Sequence, residues 1–127
     1  MKLQRRSEKL LKQPPVVIPV QLRPILGAAL RDKLVAQGAL VVCLSVSGQH
    51  IHILAKTERF QAREWMGIAK KHGWYELREH GWVGKLWAKR GKELPIRDRR
   101  HQLNVYNYIM RHEREGAWVW SMMRDKK

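Results

Sequence analysis

Residues 39–47 form an apolar run, apolar on both faces through Leu44, and residues 50–56 form a second run that opens with the alternation His50-Ile51-His52-Ile53. In that second run His50 and His52 fall on one side, Ile51 and Ile53 on the other. A period of two is the signature of a strand. Ser47-Gly48 between the runs suits a tight turn. Upstream, residues 16–22 are β-rich but interrupted by Pro19, which fits only an edge strand or a bulge. Residues 24–37 carry Leu26, Ala29, Leu30 and Leu34 at helical spacing and stop at Gly38. A second helix is predicted from Thr57-Glu58 to about His72, with Phe60, Trp65, Ile68 and Ala69 as its buried stripe and Gly73 as its end. Residues 74–77 and 83–89 have the pattern of two short strands. Asp98 is a good N-cap for a last helix over 99–113, with Leu103, Tyr106 and Met110 as a core-facing stripe and Gly116 beyond its end. Residues 117–122 are apolar, and Trp118 and Trp120 in them are expected to close the core or a dimer contact.

The predicted order is β-α-β-β-α-β followed by a helix. That is the split βαβ, ferredoxin-like pattern of an α+β protein. It carries an antiparallel sheet with helices on one face, in which the second and third strands need not pair with each other. The added C-terminal helix bears the tyrosines. At 127 residues the chain is one domain over 14–127. A basic arm, 1–13, precedes it and ends at Pro14-Pro15.

Charge narrows the partner. Lys and Arg number 26 against 11 Asp and Glu, a net +15, more than solubility requires of a small domain. Nucleic acid is the polyanion this favours. Lys85, Lys89, Arg90, Lys92, Arg97, Arg99 and Arg100 crowd the approach to the last helix and are candidates for a phosphate track. Trp82 could stack on an unpaired base, whereas Trp87 fits the core better. Cys43 is the single cysteine, so no intramolecular disulfide forms and a reducing cytoplasm is expected. No run approaches the ~20 apolar residues of a membrane span, and the basic N-terminus lacks the apolar stretch of a signal peptide.

The chemistry-bearing positions are few. On a strand, His50 and His52 project together, about 7 Å apart along the chain, close enough for both to reach one divalent ion. On the last helix Tyr108 and His112 stand four residues apart and share a face. His72, His80 and His101 have no evident partner.

The run from Leu44 to Leu54, then Ile96-Arg97-Asp98, Tyr108-Ile109-Met110-Arg111-His112 and Gly116-Ala117, resembles the tyrosine-dependent single-strand DNA transposases of the HUH endonuclease superfamily, including the REP-associated type. The resemblance spans most of residues 16–120. It implies that His50 and His52 hold a divalent metal, Mn²⁺ or Mg²⁺. It also implies that Tyr108 attacks a DNA phosphate and becomes joined to the 5′ side of the break. His112 stands where the family has Gln or Asn as third ligand. Three imidazoles favour Mn²⁺ or a softer ion over oxygen-preferring Mg²⁺. Tyr106 is the weaker nucleophile candidate, because Met110 follows it at the ligand position. The resemblance further implies single-stranded or hairpin DNA as partner, nucleoid association and, in many members, a homodimer. Two other readings stand beside it: a non-catalytic single-stranded nucleic-acid-binding domain of the same fold, and a phosphohydrolase that uses water and has no need of Tyr108.

Overall fold

The computed structural model describes residues 16–57, 62–87 and 94–125. After extended residues and a 3₁₀ turn at Val20–Leu22 come α1 (Arg23–Ala36), β1 (Leu40–Val46), β2 (Ile51–Lys56), α2 (Ala62–Glu79) and α3 (Arg99–Arg111). A 3₁₀ turn at His112–Glu115, β3 (Trp118–Ser121) and a short α4 (Met122–Asp125) complete it. This is an α+β protein with a three-stranded antiparallel sheet in the order β2-β1-β3. Among the described residues no helix is long and apolar enough to cross a membrane.

β1 lies at the centre because it is apolar on both faces. Such a strand needs cover on both sides. Leu44 and Val46 point into a core with Leu26, Leu30 and Leu34 of α1 and Ala69 and Leu77 of α2. Each fully buried leucine there contributes about 2 kcal/mol. Cys43 faces the other way, with Leu54 of β2 and Ile109 of α3. Val42 has no partner across β2, a bulge that shifts the register between Val41 and Cys43. α1 and α2 therefore cover one face and α3 the other, correcting the expectation of helices on one face only.

Several other expectations change. β1 and β2, the predicted second and third strands, whose pairing the pattern left open, pair directly as a hairpin, with Ser45 opposite His52. Residues 16–22 form no strand; their link to the hairpin is one bond, from the Ile18 N–H to the Gly48 carbonyl at 2.7 Å. Pro19 lacks the N–H a ladder needs, and Pro24 sits in the first turn of α1, where that lack is harmless.

α2 does not stop at Gly73 but runs through the predicted strand 74–77. Gly73 is there for packing: a Cβ would stand 2.7 Å from Leu26 Cδ1 and 3.3 Å from Leu30 Cδ2. The actual stop is Gly81, left-handed at φ 97°, with the Trp82 N–H bonded back to the Leu77 carbonyl at 2.9 Å. Beyond it, described residues 83–87 make no strand; residues 88 and 89 of that predicted strand lie outside the described residues. Indoles pin this segment along α2. Trp74 Nε1 donates to the Gly84 carbonyl at 3.0 Å and Trp87 Nε1 to the Lys70 carbonyl at 2.8 Å.

The third strand is Trp118–Ser121, where only an apolar run was expected. Trp118 and Trp120 pack on the α1 side, consistent with closing the core. Ile68 and Leu103, both expected inside, are exposed. The buried line of α2 is Ala69, Gly73 and Leu77, which turns Ile68 outward; Phe60 lies outside the described residues. Asp98 caps α3 as expected, its Oδ1 accepting from the His101 N–H at 2.8 Å.

Candidate functional site

The β1–β2 turn sets the first half of the site. The Ser47 N–H donates to the His50 carbonyl at 2.9 Å. The His50 N–H donates back to Ser47 Oγ at 3.1 Å. This closed turn delivers His50 at the mouth of β2 and His52 within it. Their rings stack 6.2 Å apart at 22°, on the same side of the strand as the alternation required.

α3 supplies the second half. Its buried Ile109 wedges between Cys43 and Leu54, so Tyr108 and His112 on either side of it lie against β2. The His52 ring centre is 4.9 Å from that of His112 and 5.5 Å from that of Tyr108. Tyr108 and His112 are 4.9 Å apart, edge to face. His52 is thus the hub of four side chains from two distant parts of one chain.

Tyr106 is not part of this group. Its hydroxyl shares a hydrogen bond of 2.7 Å with Ser121 Oγ, and Ser121 is buried. That bond fastens α3 to the end of β3. Tyr108 is 48% exposed and open to a ligand. The two tyrosines differ in burial as well as in the residue one helical turn later, Met110 for Tyr106 and His112 for Tyr108.

The His112 ring is oriented by its own helix. Its Nδ1 lies 2.9 Å from the Tyr108 carbonyl and 3.3 Å from the Ile109 carbonyl. A carbonyl can only accept, so Nδ1 carries the proton, which leaves Nε2 with a lone pair in the neutral ring. Metal-binding histidines characteristically donate their other N–H in this way.

Among the described residues no three His, Cys, Asp or Glu side chains are already closed around a common point. Whether they can close is a matter of distance. Two imidazoles sharing an ion at about 2.1 Å have ring centres roughly 4.6–5.3 Å apart. The His52–His112 pair meets this at 4.9 Å; the His50–His52 pair, at 6.2 Å, is about 1 Å too wide. His50 is exposed at the turn, and rotation of its side chain can supply the difference. Three imidazoles, once closed, would be a donor set for a borderline divalent ion.

Burial sets the protonation of the central imidazole. His52 is held below its ordinary value by loss of solvent, and then by the charges of His112 and His50. The folded protein therefore favours the neutral ring, the form that binds a metal. The unfolded chain takes up this proton near pH 6.5. From there down to the folded His52 value the unfolded state binds more protons, so stability present above about pH 6.5 is lost as the pH falls through that window. Urea melts at about pH 7.5 and about pH 5.5 should show this loss, and His52→Gln should shrink it. An equal loss in the variant would assign it to other groups. Cys43, by contrast, is pushed by burial up to about 12, so its thiol is neutral and inert.

A non-local staple holds the two loops of the site. Arg23 Nε donates to the Ile18 carbonyl at 2.9 Å and Nη1 to the Gly116 carbonyl at 3.0 Å. Ile18 is itself bonded to Gly48. One guanidinium thus links the turn before His50 to the turn after His112. Nothing in the sequence pattern marks Arg23 for this. Arg111, which borders the Tyr108 ring, could have been found from its i, i+3 spacing.

The proposed DNA contacts are distributed unevenly. Arg97, Arg99 and Arg100 are exposed at the N-terminal end of α3. Nine residues of helix, about 13 Å, separate Arg99 from Tyr108. Lys85 is exposed, but in the segment held along α2, which lies with α1 on the other face of the sheet. Trp82 is half-buried against the core under α2, with its indole nitrogen buried, which does not suit it to stacking on a base. Lys89, Arg90 and Lys92 lie outside the described residues. His72 and His80 sit on and just after α2, His72 beside Glu76 at 3.9 Å and His80 against the Glu76 carbonyl, away from the site. The His101 ring accepts the Arg97 N–H at 3.0 Å.

Compared with protein-family models, with curated proteins and with solved structures, the chain matches none.

Proposed function

We propose that this protein is a metal-dependent single-strand DNA endonuclease and strand transferase that works through a 5′-phosphotyrosine, with Tyr108 as nucleophile. The observation that carries this reading is the meeting of Tyr108 and His112 of α3 with His52 of β2, at 4.9–5.5 Å between ring centres. The fold is read with it as a ferredoxin-like arrangement in which β1 is the central strand, β2 pairs with it as a hairpin and the tyrosine helix is added on the free face.

His50, His52 and His112 would hold the divalent ion, His112 through Nε2. When bound, the ion supplies positive charge to the phosphate oxygens, where negative charge builds in the transition state. The chain's own groups do the rest. Tyr108 Oη bonds to phosphorus as the bond from phosphorus to the 3′ oxygen breaks. The phenol gives up its proton and the 3′ oxygen takes one up. One phosphoester replaces another, so the break can be resealed by a 3′-OH without ATP. The bond between His112 Nδ1 and the Tyr108 carbonyl makes ligand and nucleophile move as one unit of helix. Arg97, Arg99 and Arg100, with Lys89, Arg90 and Lys92, would track the backbone of the strand. Each phosphate they neutralise should steepen the salt dependence by about 0.7 log units per log unit of salt.

The test is a labelled hairpin with a single-stranded flank, incubated with the protein and run on a denaturing gel. A slow-migrating covalent band is expected with Mn²⁺ and none with EDTA. Binding without a covalent band under either condition would favour a non-catalytic nucleic-acid-binding domain. Cleavage without the band would favour hydrolysis by water.

A further inference from the structure

Arg111 lies three residues after Tyr108, so the two share a helix face. Its Cζ stands 6.0 Å from the centre of the Tyr108 ring, within cation–π range. The side chain is exposed. Among the described residues no carboxylate pairs with it. Glu113, two residues on, is occupied by Arg124, whose Nη1 donates to Oε2 at 3.1 Å and Nη2 to Oε1 at 3.0 Å. That fork takes both carboxylate oxygens. What remains beside the phenol is a guanidinium with its charge left for an anion from outside.

The position suits one anion in particular. A phenol oxygen about 2.8 Å from its ring centre, attacking across about 3–3.5 Å, puts phosphorus about 6 Å from that centre. The guanidinium lies at a similar distance but over the ring, and its long, exposed side chain can swing toward the hydroxyl end to meet the phosphate. A planar fork matches two non-bridging oxygens, which an ammonium does not.

We infer that Arg111 is a further catalytic residue of this site, gripping the non-bridging oxygens of the phosphate that Tyr108 attacks. The inference rests on the phosphotyrosine reading above. Arg111 gains and loses no proton in the step. As the Tyr108 Oη–phosphorus bond forms and the bond to the 3′ oxygen breaks, it offers a fixed positive charge in addition to the ion held by the imidazoles. It also keeps the phosphate in line with the phenol.

Single-turnover adduct formation on the labelled hairpin with Mn²⁺, alongside equilibrium binding of the same hairpin, tests this in the full chain. Arg111→Gln should slow adduct formation about 30–100-fold while binding changes less than about threefold. Arg111→Lys should recover part of the rate, because it restores the charge without the fork. A rate within twofold of wild type in Arg111→Gln overturns the inference. So does a loss that appears only as weaker binding, which would make Arg111 one more contact of the phosphate track. A wild-type protein that forms no adduct removes the phosphotyrosine reading itself, and this inference with it. That outcome is distinct from a wild-type adduct indifferent to Arg111.

Discussion

Tyr108→Phe should abolish the covalent protein–DNA adduct, a loss greater than about 10³-fold, because phenylalanine has no oxygen to bond to phosphorus. Binding of the same hairpin should change by less than about threefold, since the track residues are untouched. Tyr106→Phe is the matching control. It removes the hydroxyl that meets Ser121 Oγ at 2.7 Å, at a cost of about 1 kcal/mol in stability, and should leave the adduct in place. Denaturing gels and urea melts on the two variants check both halves. If the adduct survived Tyr108→Phe and vanished in Tyr106→Phe, the roles given to the two tyrosines would be reversed.

Gly27→Ala carries the largest expected loss of stability. Gly27 lies inside α1, where glycine is ordinarily a liability of about 1 kcal/mol against alanine. Here a Cβ would stand 2.2 Å from Trp118 Cζ3, 2.5 Å from Cε3 and 3.2 Å from Val46 Cγ2. An indole in a sheet cannot yield as the end of a flexible side chain does. Overpacking on this scale costs about 3 kcal/mol or more, which outweighs the helix gain. The net should be about 2 kcal/mol, lowering Tm by roughly 6–10 °C. Gly67→Ala is the contrast. It is also inside a helix, but a Cβ there meets nothing within 4 Å, so the propensity term should stand alone and raise stability by about 0.5–1 kcal/mol. Pairing Gly27→Ala with Trp118→Leu should recover part of the loss. A Gly27→Ala protein that melts like wild type would mean that α1 does not rest on Trp118.

The parts of this molecule legible in the sequence are those set by local period. Alternation over His50–Ile53 fixed a strand and its faces. The i, i+4 spacing put Tyr108 and His112 together. Asp98 marked the start of α3 by its capping chemistry alone. The parts that were missed depend on what approaches from elsewhere. Gly73 has the look of a helix stop, yet it is a notch for Leu26 and Leu30, which only the packing of α1 on α2 reveals. Gly81, with its left-handed backbone, does the stopping. Residues 16–22 are apolar enough for a strand, but Pro19 leaves only the bond from Ile18 to Gly48. Trp118–Ser121 is too short to announce itself as a strand and becomes one by pairing with the central β1. That pairing explains why α3 lies on the free face: β1 is apolar on both sides and must be covered twice.

The same distinction runs through the site. The four aromatic and imidazole rings were identifiable one pair at a time; their convergence on His52 is tertiary. The Arg23 staple joins carbonyls 98 residues apart in sequence, Ile18 and Gly116, and has no periodic signature. Nearness in sequence groups Lys85 and Trp82 with the α3 arginines. The turn at Gly81 instead sends them back along α2.

The central claim is that Tyr108 becomes bonded to DNA in a site built by His50, His52 and His112. Its most direct test is mass spectrometry of the trypsin-digested protein after reaction with a hairpin and Mn²⁺. The account predicts a nucleotide-bearing peptide spanning residues 101–111, with fragmentation placing the phosphate on Tyr108, and no such peptide when the metal is chelated. Cut DNA accompanied only by unmodified peptide, or a phosphate on Tyr106, would contradict it.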